Sequence, residues 1–356
     1  MKILILGGTG TISRYIVKSL AEKGHELILL NHHKKDTGIF SNVRVECCDR
    51  KNYAEFIQTC RRIGPFDCVY DMITFTPEDA HSSVEAFKHN TVQLIFCSTV
   101  DVYTKTGTHY PVREGMETQP FTSFPYAYLK KQCEDIFMDA DQRGDFHVTI
   151  LRPGHTYAEG SPKSHLLFNV FSTAPGAAYH LDRIKKGKPI ILHGDGMSIW
   201  GVTHGSDTAS AFVGALGNEK AFGKAYTVAG DECMCYRKYY EAVAEEMGAP
   251  KIRFVFIPMD LLVRLEPERA HLCSQNFMYN NVFDNSAAQK DLGMTQSISW
   301  REGIRRCLRF FEEHGGYENS DKPEYAFYDR IIEKYTAMCD ELVREYDKEE
   351  DCSCGI

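Results

Sequence analysis

Lys2-Ile3-Leu4-Ile5-Leu6-Gly7-Gly8-Thr9-Gly10-Thr11-Ile12-Ser13 sets the reading of everything that follows. The run from Lys2 to Leu6 is nearly all apolar, which suits a strand covered on both faces. Glycines then interrupt it, and from Thr11 to Lys23 the pattern becomes amphipathic with a helical period. A strand turning this sharply into a helix presents bare backbone N–H groups at the helix start, where a pyrophosphate is met without interfering side chains. Gly7 and Gly10 supply the turn and the close approach. Ser13, small enough for tight helix–strand packing, stands where a third glycine is common. Strand, glycine turn and helix in this order are what a dinucleotide-binding fingerprint requires, with Thr11 and Ile12 at the helix start completing the cradle.

Working outward, short apolar runs alternate with helical patterns. The expected strands are Lys2–Leu6, Glu26–Leu30, Arg44–Cys47, Cys68–Asp71, Gln93–Ser98 and His147–Leu151. The expected helices are Thr11–Lys23, Asn52–Ile63, Pro77–His89 and Tyr126–Arg143. This alternation predicts an α/β fold, a Rossmann-type doubly wound parallel sheet with helices on both faces and right-handed crossovers. After Arg152-Pro153-Gly154 the rhythm changes. Glu159–Gly176 reads as loop, Pro189–Leu192 as strand, Gly194-Asp195-Gly196 as a turn and Tyr236–Met247 as an amphipathic helix. The expected organisation is a dinucleotide domain over 1–153, its core continuing into parts of the second half. A smaller substrate lobe over 154–316 and a helical extension with a charged, disordered tail over 317–356 complete it.

The bulk composition narrows the partners. A chain of 356 residues with net charge −8 lacks the positive field that nucleic acid or an anionic membrane attracts, so neither is expected. The apolar run at 2–6 is too short for a signal-peptide core or a bilayer span, and a reducing cytoplasm is the expected compartment. Thirteen cysteines then imply free thiols, Cys352 and Cys354 among them as exposed ones. None of the close pairs has zinc-site spacing, so no metal is expected.

The end of the second strand bears on which nicotinamide is used. An acidic residue there holds the ribose hydroxyls and repels a 2′-phosphate. Here the sequence is Leu30-Asn31-His32-His33-Lys34-Lys35. A neutral Asn31 followed by His32 and Lys35 favours NADP(H) over NAD(H), unless these cations are merely a solvated loop. Asp49 reads either as a partner for the adenine amine or as a helix cap ahead of Asn52. Arg50 beside it, Met72 past the fourth strand and Pro153 past the sixth join the cofactor-side set.

Tyr126 and Lys130 lie four apart at the start of a helix and share a face, whereas Tyr128 has Gln132 at that spacing. A phenol with pKa near 10 is a poor acid or base at neutral pH, and an adjacent ammonium stabilises its phenolate and can hold the nicotinamide ribose. The strand-end run Phe96-Cys97-Ser98-Thr99 offers a hydroxyl to position the reacting oxygen.

Taken together the chain resembles the extended short-chain dehydrogenase/reductases, the group of sugar-nucleotide epimerases and dehydratases, from Met1 to about Leu308. The resemblance rests on Gly-Gly-Thr-Gly at 7–10, Ser-Thr-x-x-x-Tyr at 98–103, Tyr126/Lys130, Leu151-Arg152-Pro153, Gly194-Asp195-Gly196 and Asp207. It implies that Thr99 is the active hydroxyl, with Ser98 beside the cofactor. Tyr126 is then the general acid/base, Lys130 its electrostatic partner and His155 a substrate contact. Two positions depart from the family. Trp200 stands where sugar-nucleotide enzymes carry a diphosphate-gripping arginine. Val100-Asp101 replaces the acidic pair of dehydratases, leaving Asp101 as an acid toward substrate or as a surface carboxylate. Leu29-Leu30-Asn31, Asp49-Arg50-Lys51 and Asp71 with Thr76-Pro77-Glu78 look like an atypical branch that also contains chloroplast stem-loop RNA-binding proteins.

The expected function is an NAD(P)-dependent oxidoreductase or epimerase acting by hydride transfer on a sugar-like or hydroxylated small molecule. The competing expectation is a non-catalytic redox sensor or RNA-binding platform. By the same resemblance a homodimer is expected through helices 77–89 and 126–143.

Overall fold

The computed structural model describes residues 1–32, 40–160, 166–167, 169–172 and 176–353, the last six by backbone alone. In chain order its first half gives β1 (Lys2–Leu6), α1 (Ser13–Glu22), β2 (Glu26–Asn31), β3 (Val43–Cys47), α2 (Tyr53–Ile63), β4 (Phe66–Asp71), α3 (Pro77–Phe87), β5 (Thr91–Cys97), α4 (Pro125–Gln142) and β6 (His147–Pro153). Its second half gives β7 (His155–Tyr157), α5 (Ala177–Lys185), β8 (Ile190–His193), β9 (Ile199–His204), α6 (Gly205–Ala215), β10 (Lys224–Val228), β11 (Cys233–Cys235), α7 (Tyr236–Glu246), β12 (Phe254–Ile257), α8 (Met259–Leu265), α9 (Pro267–Leu272), α10 (Ser286–Leu292), α11 (Trp300–Glu313) and α12 (Ala326–Ser353).

Seven strands form one parallel sheet in the order β3-β2-β1-β4-β5-β6-β10. Strands buried on both faces explain the near-continuous apolar runs of β1, β2 and β4. On one face Ile3, Ile5 and Leu29 meet α1, α6 and α10 through Ile16, Leu20, Phe212 and Leu292. On the other, Leu4, Ile28 and Phe96 meet α2, α3 and α4 through Phe56, Phe87 and Phe137. From β1 the chain winds outward through β2 to β3 and then crosses back to β4 on the other side of β1. The carboxyl ends of these strands therefore diverge into the crevice where open α/β sheets take ligands.

The second half does not form one separate block. After the lobe begins at β7, the chain returns to the sheet through α6 and β10, and again through α10, before completing the lobe with α11 and α12. The lobe holds two small sheets, β11-β9-β7 and β12-β8. It has its own core around Trp200, Tyr236, Tyr239 and Trp300. The extension belongs to this lobe: Tyr328 and Ile332 are buried in it, and the Tyr328 hydroxyl accepts the Ile191 N–H at 2.8 Å. Its helix runs through the charged stretch as far as Ser353, where the sequence reading has a disordered tail. Lysine and glutamate are good helix formers, so a charge run does not by itself end a helix. Residues 354–356, with Cys354, lie outside the described residues. Among the described residues no helix is long and apolar enough to cross a membrane.

Candidate active site

The glycine turn is restrained by space. Gly7 adopts φ +81°, and a Cβ there would stand 2.4 Å from Ile73 Cγ2, so both conformation and room demand glycine. A Cβ on Gly8 would meet Leu29 Cδ2 at 2.8 Å, a packing constraint that the sequence reading does not identify. Ser13 does more than fit. Its hydroxyl donates to Gly7 O at 2.6 Å and accepts from Gly10 N–H at 2.8 Å, closing the turn that a third glycine would leave open. Asn31, the last residue of β2, accepts the Gly8 N–H on Oδ1 at 3.2 Å. Its buried Nδ2 finds no partner among the described residues.

Asp49 sits beside His32 at the same sheet edge, with Nδ1 and Oδ1 3.8 Å apart. Asn52, not Asp49, caps α2 by accepting the Glu55 N–H, while Asp49 Oδ1 accepts the Lys51 N–H at 2.9 Å in the turn ahead of it. Lys35 lies outside the described residues. Arg50 departs from expectation. Its guanidinium is buried against α3, donating to Ser82 and Ser83 hydroxyls and to Thr74 Oγ1, and stacked over Phe56 at 4.0 Å. Three small hydroxyl residues leave a hole under α3 that a long buried arginine fills, so its two terminal amino groups are spent inside the fold, while Nε has no partner among the described residues. Met72 packs partly buried on the sheet core, its N–H bonded to Leu6 O.

Toward the other end the crevice opens into a cavity of about 660 Å³ that brings Thr11 and Ile12 of the cradle together with Ser98, Thr99, Tyr126 and Pro153. Pro125 at the first helical position starts α4, so Tyr126 stands at the helix mouth with 41% of its surface open to the cavity. Thr99 accepts the Asp101 N–H at 3.2 Å, which orients its hydroxyl and leaves its proton to be donated. The Ser98 hydroxyl, buried at the cavity wall, has no partner among the described residues.

Lys130 makes contacts that the sequence reading does not anticipate. It is 1% exposed, and its ammonium donates to Thr74 O and Cys97 O at 2.7 Å each, between the rings of Phe75 and Phe96. It thereby ties the end of β5 to the loop after β4, and burial holds it below the usual lysine range. The Tyr126 phenol is raised, not lowered. Burial contributes most, the charge of Asp101 adds to it, and the Thr99 hydroxyl acts the other way.

Asp101 is buried rather than a surface carboxylate. Lys105, one turn on, pairs with it at 3.3 Å and also donates to Asn281 Oδ1 at 2.7 Å. The sequence reading omits Lys105, although its spacing of four from Asp101 is a usable signal. Trp200 and His155 both line the cavity, their rings edge to face at 6.3 Å. The Trp200 indole N–H is committed to Tyr279 O at 2.9 Å and Phe277 O at 3.2 Å, so toward a ligand it offers only its ring. Asn276 and Phe277, also missed, reach the cavity from a π-helical turn over Cys273–Phe277, which no local motif announces. Arg152 is internal, bonded bidentately to Glu134 at 2.7 and 2.9 Å and to Tyr103. Asp207 holds the Ser297-Ile298 backbone.

The residues present fit a dinucleotide: a turn with no room for side chains, a helix N-terminus, and two buried polar groups at the crevice, Asn31 Nδ2 and Ser98 Oγ, awaiting partners. Comparison with known proteins agrees. Over 269 residues the chain is 25% identical to the chloroplast stem-loop binding protein of 41 kDa b of Arabidopsis thaliana, covering 71% of this chain and 65% of that protein, less than two thirds of its length. It is 22% identical over 284 residues to the 2'-dehydrokanamycin reductase of Streptomyces kanamyceticus, covering 80% and 77% of the two chains. The UDP-glucose 4-epimerase of Thermotoga maritima shares the fold, with a TM-score of 0.71 over 88% of this chain and 99% of its own at 18% identity. The model of the NAD dependent epimerase/dehydratase family matches residues 3–229, from β1 through the turn, Thr99, Tyr126 and Lys130 to the end of β10. The chain belongs to the NAD dependent epimerase/dehydratase family.

Proposed function

We propose that this enzyme prefers NADP(H) and acts as a reductase or epimerase on a hydroxylated, sugar-like small molecule, with Tyr126 transferring the proton. The observation that carries the reading is the single cavity in which Thr99, Ser98 and Tyr126 adjoin Thr11 and Ile12 of the glycine cradle. When bound, the nicotinamide supplies the hydride donor or acceptor and, oxidised, a positive charge. Tyr126 gives its proton to the substrate oxygen as a carbonyl is reduced, or takes one from a hydroxyl in the reverse sense. Thr99 donates a hydrogen bond to the same oxygen, pre-aimed by the Asp101 N–H. A phenol held above its ordinary value stays protonated at neutral pH, which favours its role as acid. Lys130 is a positioning residue in this scheme, fixing the two loops that flank the phenol.

The NADP(H) preference is supported by the neutral Asn31 and by His32, which leave no carboxylate at the end of β2 to repel a 2′-phosphate. A hydroxylated ring as substrate is supported by two similar proteins named for a dehydrokanamycin and a UDP-glucose. A homodimer through α3 and α4, which lie side by side on one sheet face, belongs to the same proposal. A monomeric mass in solution at micromolar concentration removes it.

The test is a screen of hydroxylated and keto ring compounds with NADPH and NADH, followed at the reduced-nicotinamide absorbance. Turnover with NADPH exceeding that with NADH supports the proposal, and no turnover with any compound counts against it. Tightly held, non-exchanging cofactor in purified protein selects epimerase over reductase. One observation favours a second reading, a non-catalytic RNA-binding platform: the match to the stem-loop binding protein. The net charge of −8 and the intact Thr99 and Tyr126 speak for the enzyme.

A further inference from the structure

The half of the cavity beyond Tyr126 is unlike a site for a charged, nucleotide-linked ligand. Among the described residues that line it, Asp101 is the only carboxylate, and no lysine or arginine is present. Two ammonium groups stand behind the wall, both already fastened: Lys105 between Asp101 and Asn281, and Lys130 between Thr74 O and Cys97 O. Trp200, its N–H already spent, and Phe277 at 5.2 Å from it make an aromatic wall, with Phe75 opposite near Tyr126. Set against this wall are acceptors. Asn276 is buried with Oδ1 unpartnered among the described residues, and the Asp101 carboxylate is neutralised from one side. A buried acceptor left without a donor costs roughly 1–3 kcal/mol, so these groups await something that brings donors. The π-helical turn that delivers Asn276 is a rare element, more often found at ligand sites than elsewhere.

We infer that this half of the cavity takes an uncharged, polyhydroxylated ring, such as a free sugar or cyclitol or its ketone. Its C–H face lies on the Trp200–Phe277 wall, and one of its hydroxyls donates to Asn276 Oδ1. The inference rests on the proposed function above and adds the substrate class and a specificity-determining residue, Asn276. It disfavours a nucleoside-diphosphate sugar, whose two phosphates would meet aromatic carbon and acceptor oxygens with no lysine or arginine among the described lining residues.

The full chain, saturated with whichever dinucleotide the screen selects, is titrated calorimetrically with D-glucose, D-galactose, myo-inositol and UDP-glucose. Saturable binding of at least one free ring, with UDP-glucose binding no more tightly, is the expected result. Asn276→Leu then weakens that ring about tenfold and Asn276→Asp, which keeps an acceptor, largely retains it. Both variants bind the dinucleotide as the parent does, which also reports that they are folded. UDP-glucose binding ten times more tightly than every free ring overturns the inference. So does an Asn276→Leu variant that binds the ring unchanged, or no ring binding at all beside intact dinucleotide binding. Absence of dinucleotide binding removes the underlying proposal instead, and the inference with it.

Discussion

At the glycine turn every restraint comes from close at hand, from β2, the loop after β4 and the start of α1: Gly7 against Ile73, Gly8 against Leu29, Ser13 back onto Gly7, Asn31 onto Gly8. At the reacting end the walls come from Phe75, Thr99, Tyr126, His155, Trp200 and Asn276, brought together across more than half the chain. One end is a rigid loop whose geometry leaves no freedom for side chains. The other is an assembly in which sheet and lobe meet, so that its chemistry is set by how the two are joined. In the proposed reading the first end holds the cofactor and the second selects the substrate, so that a chain could keep its cofactor while changing what it acts on.

The contrast is open to attack at several points. The largest effect is expected at the reacting end. Tyr126→Phe removes the proton in transit and should lower kcat by about 10²- to 10⁴-fold with dinucleotide affinity unchanged. Near-wild-type turnover of the folded variant would sink the proposed role. At the turn, Gly7→Ala combines a left-handed φ with a blocked Cβ and should cost about 2–4 kcal/mol in a denaturant titration. Gly10→Ala meets only Ser13 Oγ at 3.2 Å and should stay within about 1 kcal/mol. Equal losses at the two glycines would mean that the turn is not restrained as described.

The junction between the two ends offers a pH test. Glu159, after β7, is bonded to the Tyr15 hydroxyl of α1 at 2.6 Å and to His204 Nε2 of β9 at 2.8 Å. Burial opposes its charge, but the bonds from His204 and Tyr15 prevail and hold its carboxyl down at about 2. A depressed folded value stabilises above the unfolded pKa of about 4.5 and loses that contribution as pH falls toward 2. Glu159→Gln should therefore be less stable by about 1–2 kcal/mol at pH 6, with allowance for partial exposure. Urea titrations should show the gap closing between pH 4.5 and pH 2; a gap that is constant or widens contradicts the assignment. The smallest effects separate Asp49 from Asn52. Asn52→Ala should cost about 1 kcal/mol as a lost cap. Asp49→Ala should stay within about 0.5 kcal/mol yet weaken dinucleotide binding several-fold, and the reverse pattern would make Asp49 structural.

Strand and helix order through β6 was legible because a doubly wound sheet writes itself as buried runs alternating with amphipathic ones, and the Ser13 position was readable from size alone. What the chain did not disclose depends on distant neighbours. Nothing near Arg50 announces that Ser82, Ser83 and Thr74 will leave a buried hole for its guanidinium. The helical spacing of Tyr126 and Lys130 is real, but two backbone carbonyls claim the ammonium first. The return of β10 to the sheet edge follows from its pairing with β6, which a short strand inside a lobe does not reveal. Asn276 and Phe277 come to the cavity through a π-helical turn that has no sequence signature comparable to a glycine turn.

The central claim is that a dinucleotide sits on the glycine turn beside Tyr126. Titrating NADPH into the parent chain and into Gly7→Val, followed by nicotinamide fluorescence with the fold of each checked by circular dichroism, tests it most directly. The account predicts saturable one-to-one binding by the parent and none by the folded variant. Undiminished binding by Gly7→Val, or no saturation in the parent with NADPH or NADH, would contradict it.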